Sequence, residues 1–396
     1  MSDPIPSIKN HSVLILPALT IFLGFAAMAS NQYHTLVLEL GHRYNAHAIG
    51  IAVALGASSQ IILPWLLLFA GHLVRNPDRI LRRAYLGLAL SLVAFPMVQG
   101  HWASLIAYFG IIASMNIGAT LQSITIISSA RPHGDHWVLI LRSMGTFGFA
   151  FSCMLSSIFA DRLGFQGLYY GFAIFAILAL VVSKKSGAQM PPSQGPVNLR
   201  QIFSQLFEPN TRNLILGIAL ANLAITGATS VISNFMHDDI GATKSQISLA
   251  WTIATTSEMP LIWASIYFLK RFGVKGLILS GIATSTARMG LLYLVDGLGA
   301  LYAIQTLHGL FFGATLSGIG IYLSRRYGDQ GMQRLQFVSQ SFYGGMAAAV
   351  GGVATGIIWD GWGLRSVYLA SFIALVVALT WLMLRFREEK SLPTTR

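Results

Sequence analysis

The chain has 396 residues, of which 54% are hydrophobic and 10% charged, with a formal net charge of +12. A water-soluble chain carries about 25% charged residues, so this composition excludes an ordinary soluble globule. The basic residues lie in short runs between apolar stretches, which excludes a nucleic-acid surface; the lone Cys153 excludes a disulfide framework and any multi-thiolate metal site.

A bilayer core about 30 Å thick needs about 20 apolar residues of helix. Runs of that length, bounded by charge or Gly/Pro, recur at 12–35, 47–70, 80–99, 102–127, 137–160, 165–183, 213–236, 246–269, 276–295, 298–324, 335–358 and 365–384. The first follows Lys9 and contains Ala27-Met28-Ala29, the pattern of a signal-peptide cleavage site. It exceeds the about 7 to 15 residues of a signal core, which predicts an uncleaved span. With the N-terminus inside, 20 of the 26 Lys and Arg residues fall on the cytoplasmic side. Only Arg43, Arg162, Lys244 and Arg365 fall outside, and Arg142 and Arg288 lie within spans. This positive-inside asymmetry predicts twelve spans, both termini cytoplasmic, in a cytoplasmic (inner) membrane.

The polar stretch from about 184 to 212, with Pro191-Pro192 and Gly195-Pro196, divides the spans six and six. Residues 1–190 and 213–396 are the expected bundles, and 191–212 the cytoplasmic linker. At an offset of 199, Gly145 matches Gly344, Asp161 matches Asp360, Gly164 matches Gly363 and Tyr169 matches Tyr368. At an offset of 196, Pro64 matches Pro260 and Arg75 matches Arg271. An internal repeat is the expectation. The fold class is all-α: a polytopic membrane protein with twelve helices in two pseudo-symmetric six-helix bundles.

Ionisable groups inside spans are costly and mark functional sites. Glu258 lies 12 residues from Lys270 in span 8, and Arg288 lies 13 residues from Lys275 in span 9. Both reach about 18 to 20 Å from the cytoplasmic end, where a pair between them is sterically plausible. A silent ion pair is the alternative to proton coupling. His308 in span 10 reads either as a buried neutral histidine or as a proton or substrate group. Arg142 in span 5, beside Gly145 and Gly148, either faces a cavity or snorkels to the surface.

Parallel six-helix repeats resemble the major facilitator superfamily, whose substrate site lies between the halves. Its Gly-x-x-x-Asp-Arg-x-Gly-Arg loop survives in part, as Gly71 to Arg83. Arg142-x-x-Gly145-x-x-Gly148-Phe149 is similar to span 5 of the lactose permease, nucleoside:proton symporter and phenylpropionate permease group. Glu258, Arg288 and His308 match that group's span 8, 9 and 10 residues in order. Ser257-Glu258-Met259-Pro260 resembles its Glu-x-Pro.

The resemblance implies proton coupling through Glu258, Arg288 and His308, and substrate binding by Arg142 and Phe149. The group's span 4 acid is absent, leaving Asn116 and Gln122 as the polar residues there, and Phe311 stands where lactose permease has a proton-carrying Glu. An Arg142 without that acid suits an anionic substrate, with nucleosides and sugar-like solutes as alternatives.

No G-x-x-x-x-G-K-[ST] loop occurs, so ATP is not the expected energy source. His133, Asp135 and His136, and likewise His237, Asp238 and Asp239, read as solvated loops without a metal constellation. No cofactor and no metal are expected, and the chain is not read as an enzyme. The expected function is proton-coupled uptake of a small organic solute by alternating access, with lipid, protons and solute as partners and a monomer as the working unit. Gly344, Gly345, Gly351, Gly352 and Gly356 in span 11 are expected to permit close helix sliding. Efflux by proton antiport, or a membrane sensor or membrane-embedded enzyme using His308 and Glu258, are the alternatives.

Overall fold

The computed structural model describes residues 11–70, 77–130, 133, 135–185 and 198–387. Residues 71–76, which carry the first part of the expected loop signature, and residues 191–197 of the expected linker lie outside them. The described residues contain helices and turns and no strand. Hydrocarbon offers backbone groups no water, so each spanning segment must satisfy them internally, as a helix does.

Span 1 covers residues 11–40, with a tighter turn at Ala29–Tyr33. Spans 2, 3 and 4 are Ala46–Ala70, Pro77–Ala94 and His101–Ala130. Three long helical stretches are each broken at a glycine with positive φ: Gly164 (64°), Gly273 (70°) and Gly328 (70°). A Cβ is disfavoured in that conformation, so glycine ends one rod and starts the next. Spans 5 and 6 flank Gly164, spans 8 and 9 flank Gly273, and spans 10 and 11 flank Gly328. Span 7 runs through Pro209–Ser230 and Ile232–Asp238, and span 12 is Leu364–Arg385. Among the described residues, eight continuous stretches are long and apolar enough to cross a membrane. The stretch 136–182 among them holds two rods, and span 3 opens with Asp78, Arg79, Arg82 and Arg83.

In the first half, spans 5 and 6 pack against spans 1 and 3, and span 4 against spans 2 and 3. In the second, span 7 packs against spans 11 and 12, while spans 8 and 9 meet spans 10 and 12. The halves meet where span 2 crosses span 11 and where span 5 meets span 8. Small residues allow the first crossing: a Cβ on Gly50 would lie 2.6 Å from the Gly352 carbonyl oxygen.

Asp161, at the end of span 5, bonds to Thr243 and Ser245 at the start of span 8, so these helices run antiparallel. That end of the molecule, with the 41–45 and 239–243 links, is the distal end. The opposite, terminal end holds residues 11 and 387. The second part of the expected polar linker is a helix, Leu199–Leu206, capped by the Asn198 side chain accepting from Gln201 N at 3.2 Å. It forms because Ile202, Phe203 and Leu206 share a face: Ile202 and Leu206 are buried, and Phe203 lies 6.3 Å from the Trp65 ring of span 2.

Candidate functional site

Span 5 carries Arg142 and Phe149 seven residues apart, and span 8 carries Trp251 and Glu258 at the same spacing. Seven residues is close to two turns, so each pair shares a face. Because the helices are antiparallel, Phe149 meets Trp251 and Arg142 meets Glu258. The rings lie 6.2 Å apart. Arg142 and Glu258 are within electrostatic reach of each other, one from each half of the chain. Glycines bring span 5 close enough to span 1 to hold this position: a Cβ on Gly145 would sit 2.9 Å from the Phe25 ring.

Span 10 adds His308, whose Nε2 lies 3.6 Å from Oε1 of Glu258. Its ring stands edge-on to Trp251 at 5.9 Å. Gly309 permits the approach, since a Cβ there would lie 2.5 Å from the Glu258 Cα. The helix then widens over Phe311–Leu316, a distortion frequent at functional sites. Pro260, two residues beyond Glu258, leaves a carbonyl without its helical donor.

The pair of Glu258 with Arg288 is not formed. Arg288 is buried and donates from Nη2 to Oε1 of Gln305 at 2.8 Å. It is within electrostatic reach of Tyr368 and His308. The tight link at 295–297 holds spans 9 and 10 side by side, so an amide of span 10 meets the guanidinium while Glu258 turns to His308 and Arg142. Its Nε has no hydrogen-bond partner among the described residues.

Asn116 donates to Ser59 Oγ at 2.7 Å and accepts from Gln60 at 3.1 Å, which ties span 4 to span 2. Gln122 is fully buried and bonded to Tyr85, so it packs inside the first half instead of facing the cleft. Its neighbour across the packing is Gly24 of span 1. His237 and Asp238 close the last helical turn of span 7 and Asp239 begins the link after it, with Asp238 and Asp239 exposed as expected. Asp239 pairs with Arg365 at 3.5 Å, and Asp238 lies against Glu39 of the other half.

Arg142 is exposed although the surrounding helices enclose it, as befits the wall of a deep cleft. The distal side above it is bridged by hydrogen bonds between the halves, from Tyr33 to Lys244 O (2.8 Å) and from Thr35 to Ser230 O (2.6 Å). The cleft therefore opens toward the terminal end. Shallow grooves on the distal rim, beside Arg43 and Trp102 and beside His42 and Gln166, share no residue with it.

Two opposed intramembrane charges on different halves, beneath a sealed end, are the geometry of a carrier. The MFS_1 like family model matches residues 88–370. The chain belongs to that family. It is 22% identical over 379 residues to a maltose permease of Geobacillus stearothermophilus, covering 95% of each chain. It is 23% identical over 370 residues to a Deinococcus radiodurans protein whose name marks it as a candidate sugar efflux transporter, covering 82% of this chain and 94% of that one. The fold matches the crystal structure of a point mutant of the nucleoside transporter NupG with a TM-score of 0.81 at 15% identity, over 95% of this chain and 100% of that one. This major facilitator protein is a multi-pass membrane transporter of small molecules.

Sequence reasoning missed Trp251, Gln305 and the position of Tyr368. The seven-residue spacing of Trp251 from Glu258 repeats that of Arg142 and Phe149, a signal legible without a structure.

Proposed function

We propose that this transporter imports a small organic solute with protons, by rocking residues 1–190 against 213–396 about the cleft. The observation that carries the reading is Arg142 facing Glu258 across the two halves, with His308 on the other side of Glu258. Arg keeps its charge at every relevant pH, so Glu258 is the member that gains and loses a proton. A proton on Glu258 releases Arg142 to bind an anionic group; loss of that proton restores the competing charge. The Phe149 and Trp251 rings, about two turns along the same faces from Arg142 and Glu258, favour a solute with a flat or apolar face: an aromatic or other carboxylate first, then a nucleoside or a sugar-like solute. Arg288, held by Gln305, lies within electrostatic reach of His308. The twenty basic residues assigned to the terminal side favour a cytoplasmic terminal end in an inner membrane, and a complete cleft within one chain favours a monomer.

The test is uptake into proteoliposomes with an imposed proton gradient. Accumulation is expected to vanish with a protonophore and in Glu258→Gln, while downhill exchange in Glu258→Gln survives. Undiminished accumulation in either case refutes proton coupling. The sugar efflux relative supports a second reading, export by antiport. Accumulation only in vesicles oriented with the terminal face outward would establish it.

A further inference from the structure

Above the charged residues, Trp251 joins the cleft to the distal seal. Its ring, 6% exposed, lies between Phe149 of span 5 and His308 of span 10. Its indole Nε1 donates to Oγ of Ser233 at 3.1 Å. Ser233, near the end of span 7, donates its own hydroxyl proton to the backbone carbonyl of Gln32 in span 1. Ser233 and Gln32 are both buried, so water does not replace these bonds.

A serine hydroxyl has one proton and a free rotor. The indole N–H occupies a lone pair of that oxygen and leaves the proton aimed at Gln32. Without the indole, the hydroxyl is free to turn toward a carbonyl of its own helix, the usual habit of a helical serine. The bond between the halves then weakens. On its cleft side the same ring touches Phe149 and His308, and His308 in turn lies 3.6 Å from Glu258.

We propose that Trp251 is a positioning residue for transport, whose indole N–H holds the Ser233–Gln32 bond between spans 7 and 1, so that moving the ring from the cleft side loosens the distal seal. The inference rests on alternating access, and neither on proton coupling nor on the class of solute.

The test uses the full chain in lipid nanodiscs without added solute. Cys153→Ser removes the native thiol, and spin labels on Gln166→Cys and Ala300→Cys mark the distal rim of each half. Trp251→Phe keeps the ring contacts and removes the N–H. It is expected to raise the ratio of long to short distal distances about 5-fold, the factor for losing one hydrogen bond worth about 1 kcal/mol. Ser233→Ala is expected to give the same shift, and the double variant no more than either alone. Ser233→Thr, which keeps the hydroxyl, stays with the parent. A parent-like distribution in Ser233→Ala or in Trp251→Phe overturns the proposal, as does additivity of the two. Should Trp251→Phe fail to fold, the Ser233→Ala and Ser233→Thr pair still decides. A failure of proton coupling would appear in the uptake assay and leave these distances unchanged.

Discussion

At the distal end, hydrogen bonds run between the two halves: Tyr33 to Lys244, Thr35 to Ser230, Ser233 to Gln32, Asn234 to Glu39, and Thr243 and Ser245 to Asp161. At the terminal end the bonds of Asn210 to Tyr322 and Arg387, Thr211 to Tyr327, Glu208 to Arg326, and Lys275 to Met383 run within residues 198–387, while deeper in the span 2 and span 11 crossing Ser341 donates to the Ile61 carbonyl of the other half. A bond that crosses the halves is lost when they part, whereas a bond within one half travels with it. The distal network therefore weighs on the balance between open and closed, and the terminal network on the stability of the second half alone. Substitutions at the two ends should accordingly separate conformation from stability.

The largest effect is expected at the span 2 and span 11 crossing. Gly50→Leu forces a side chain against Gly352 and Gly356, and overpacking of this kind costs roughly 1 to 3 kcal/mol. The distal distances between labels at 166 and 300 should shift to the open population by about 5-fold or more; a parent-like distribution would show that this crossing does not govern distal closure.

Asp161→Asn, just past the apolar run of span 5, comes next. Burial alone would raise the Asp161 carboxyl, but the bonds from Thr243 and Ser245 and the charge of Lys244 outweigh it and hold the group below its ordinary range. The carboxylate caps span 8 from the other half, and loss of such a cap costs about 0.5 to 2 kcal/mol, at the low end for an exposed group. A group with a lowered pKa contributes closure above its ordinary range and loses it as pH falls through the lowered value. Distal closure through Asp161 should thus be constant between pH 8 and 5.

The smallest effect tests the terminal end. Burial would raise Glu208, but Arg326 and Tyr327 hold it below its ordinary range, so its contribution is present at neutral pH and lost in acid. Glu208→Gln should lower thermal stability by about 0.5 kcal/mol, the worth of a partly exposed pair. Distal distances should not move; if they do, the terminal bonds are not confined to one half in effect.

Much of the fold was legible in the chain itself. Gly164 and Gly363, matched by the repeat, both adopt positive φ and close spans 5 and 11. Pro64 and Pro260, matched at the second offset, both lie inside helices. Arg142, Glu258 and His308 were legible because an ionisable group inside an apolar run stands out, and Phe149 only through the resemblance of the Arg142-x-x-Gly145-x-x-Gly148-Phe149 motif. The pairing of Arg288 was not, since equal depth on neighbouring helices says nothing of rotation about each axis. Gln122 illustrates the same gap: its depth suits a cleft, but its face turns to Tyr85 and Gly24.

By itself the sequence determined that the chain crosses a membrane as helices and where glycines and prolines recur at a constant offset. Hydrophobic length, glycine and charge placement act locally along the chain, so they are read one segment at a time. Only the tertiary structure decided that Glu258 meets Arg142 and His308, that Arg288 is held by Gln305, and that the distal end is the sealed one. Those outcomes depend on the rotation and crossing of helices, many of them far apart in the chain, which are set by packing at glycines such as Gly50, Gly145 and Gly309.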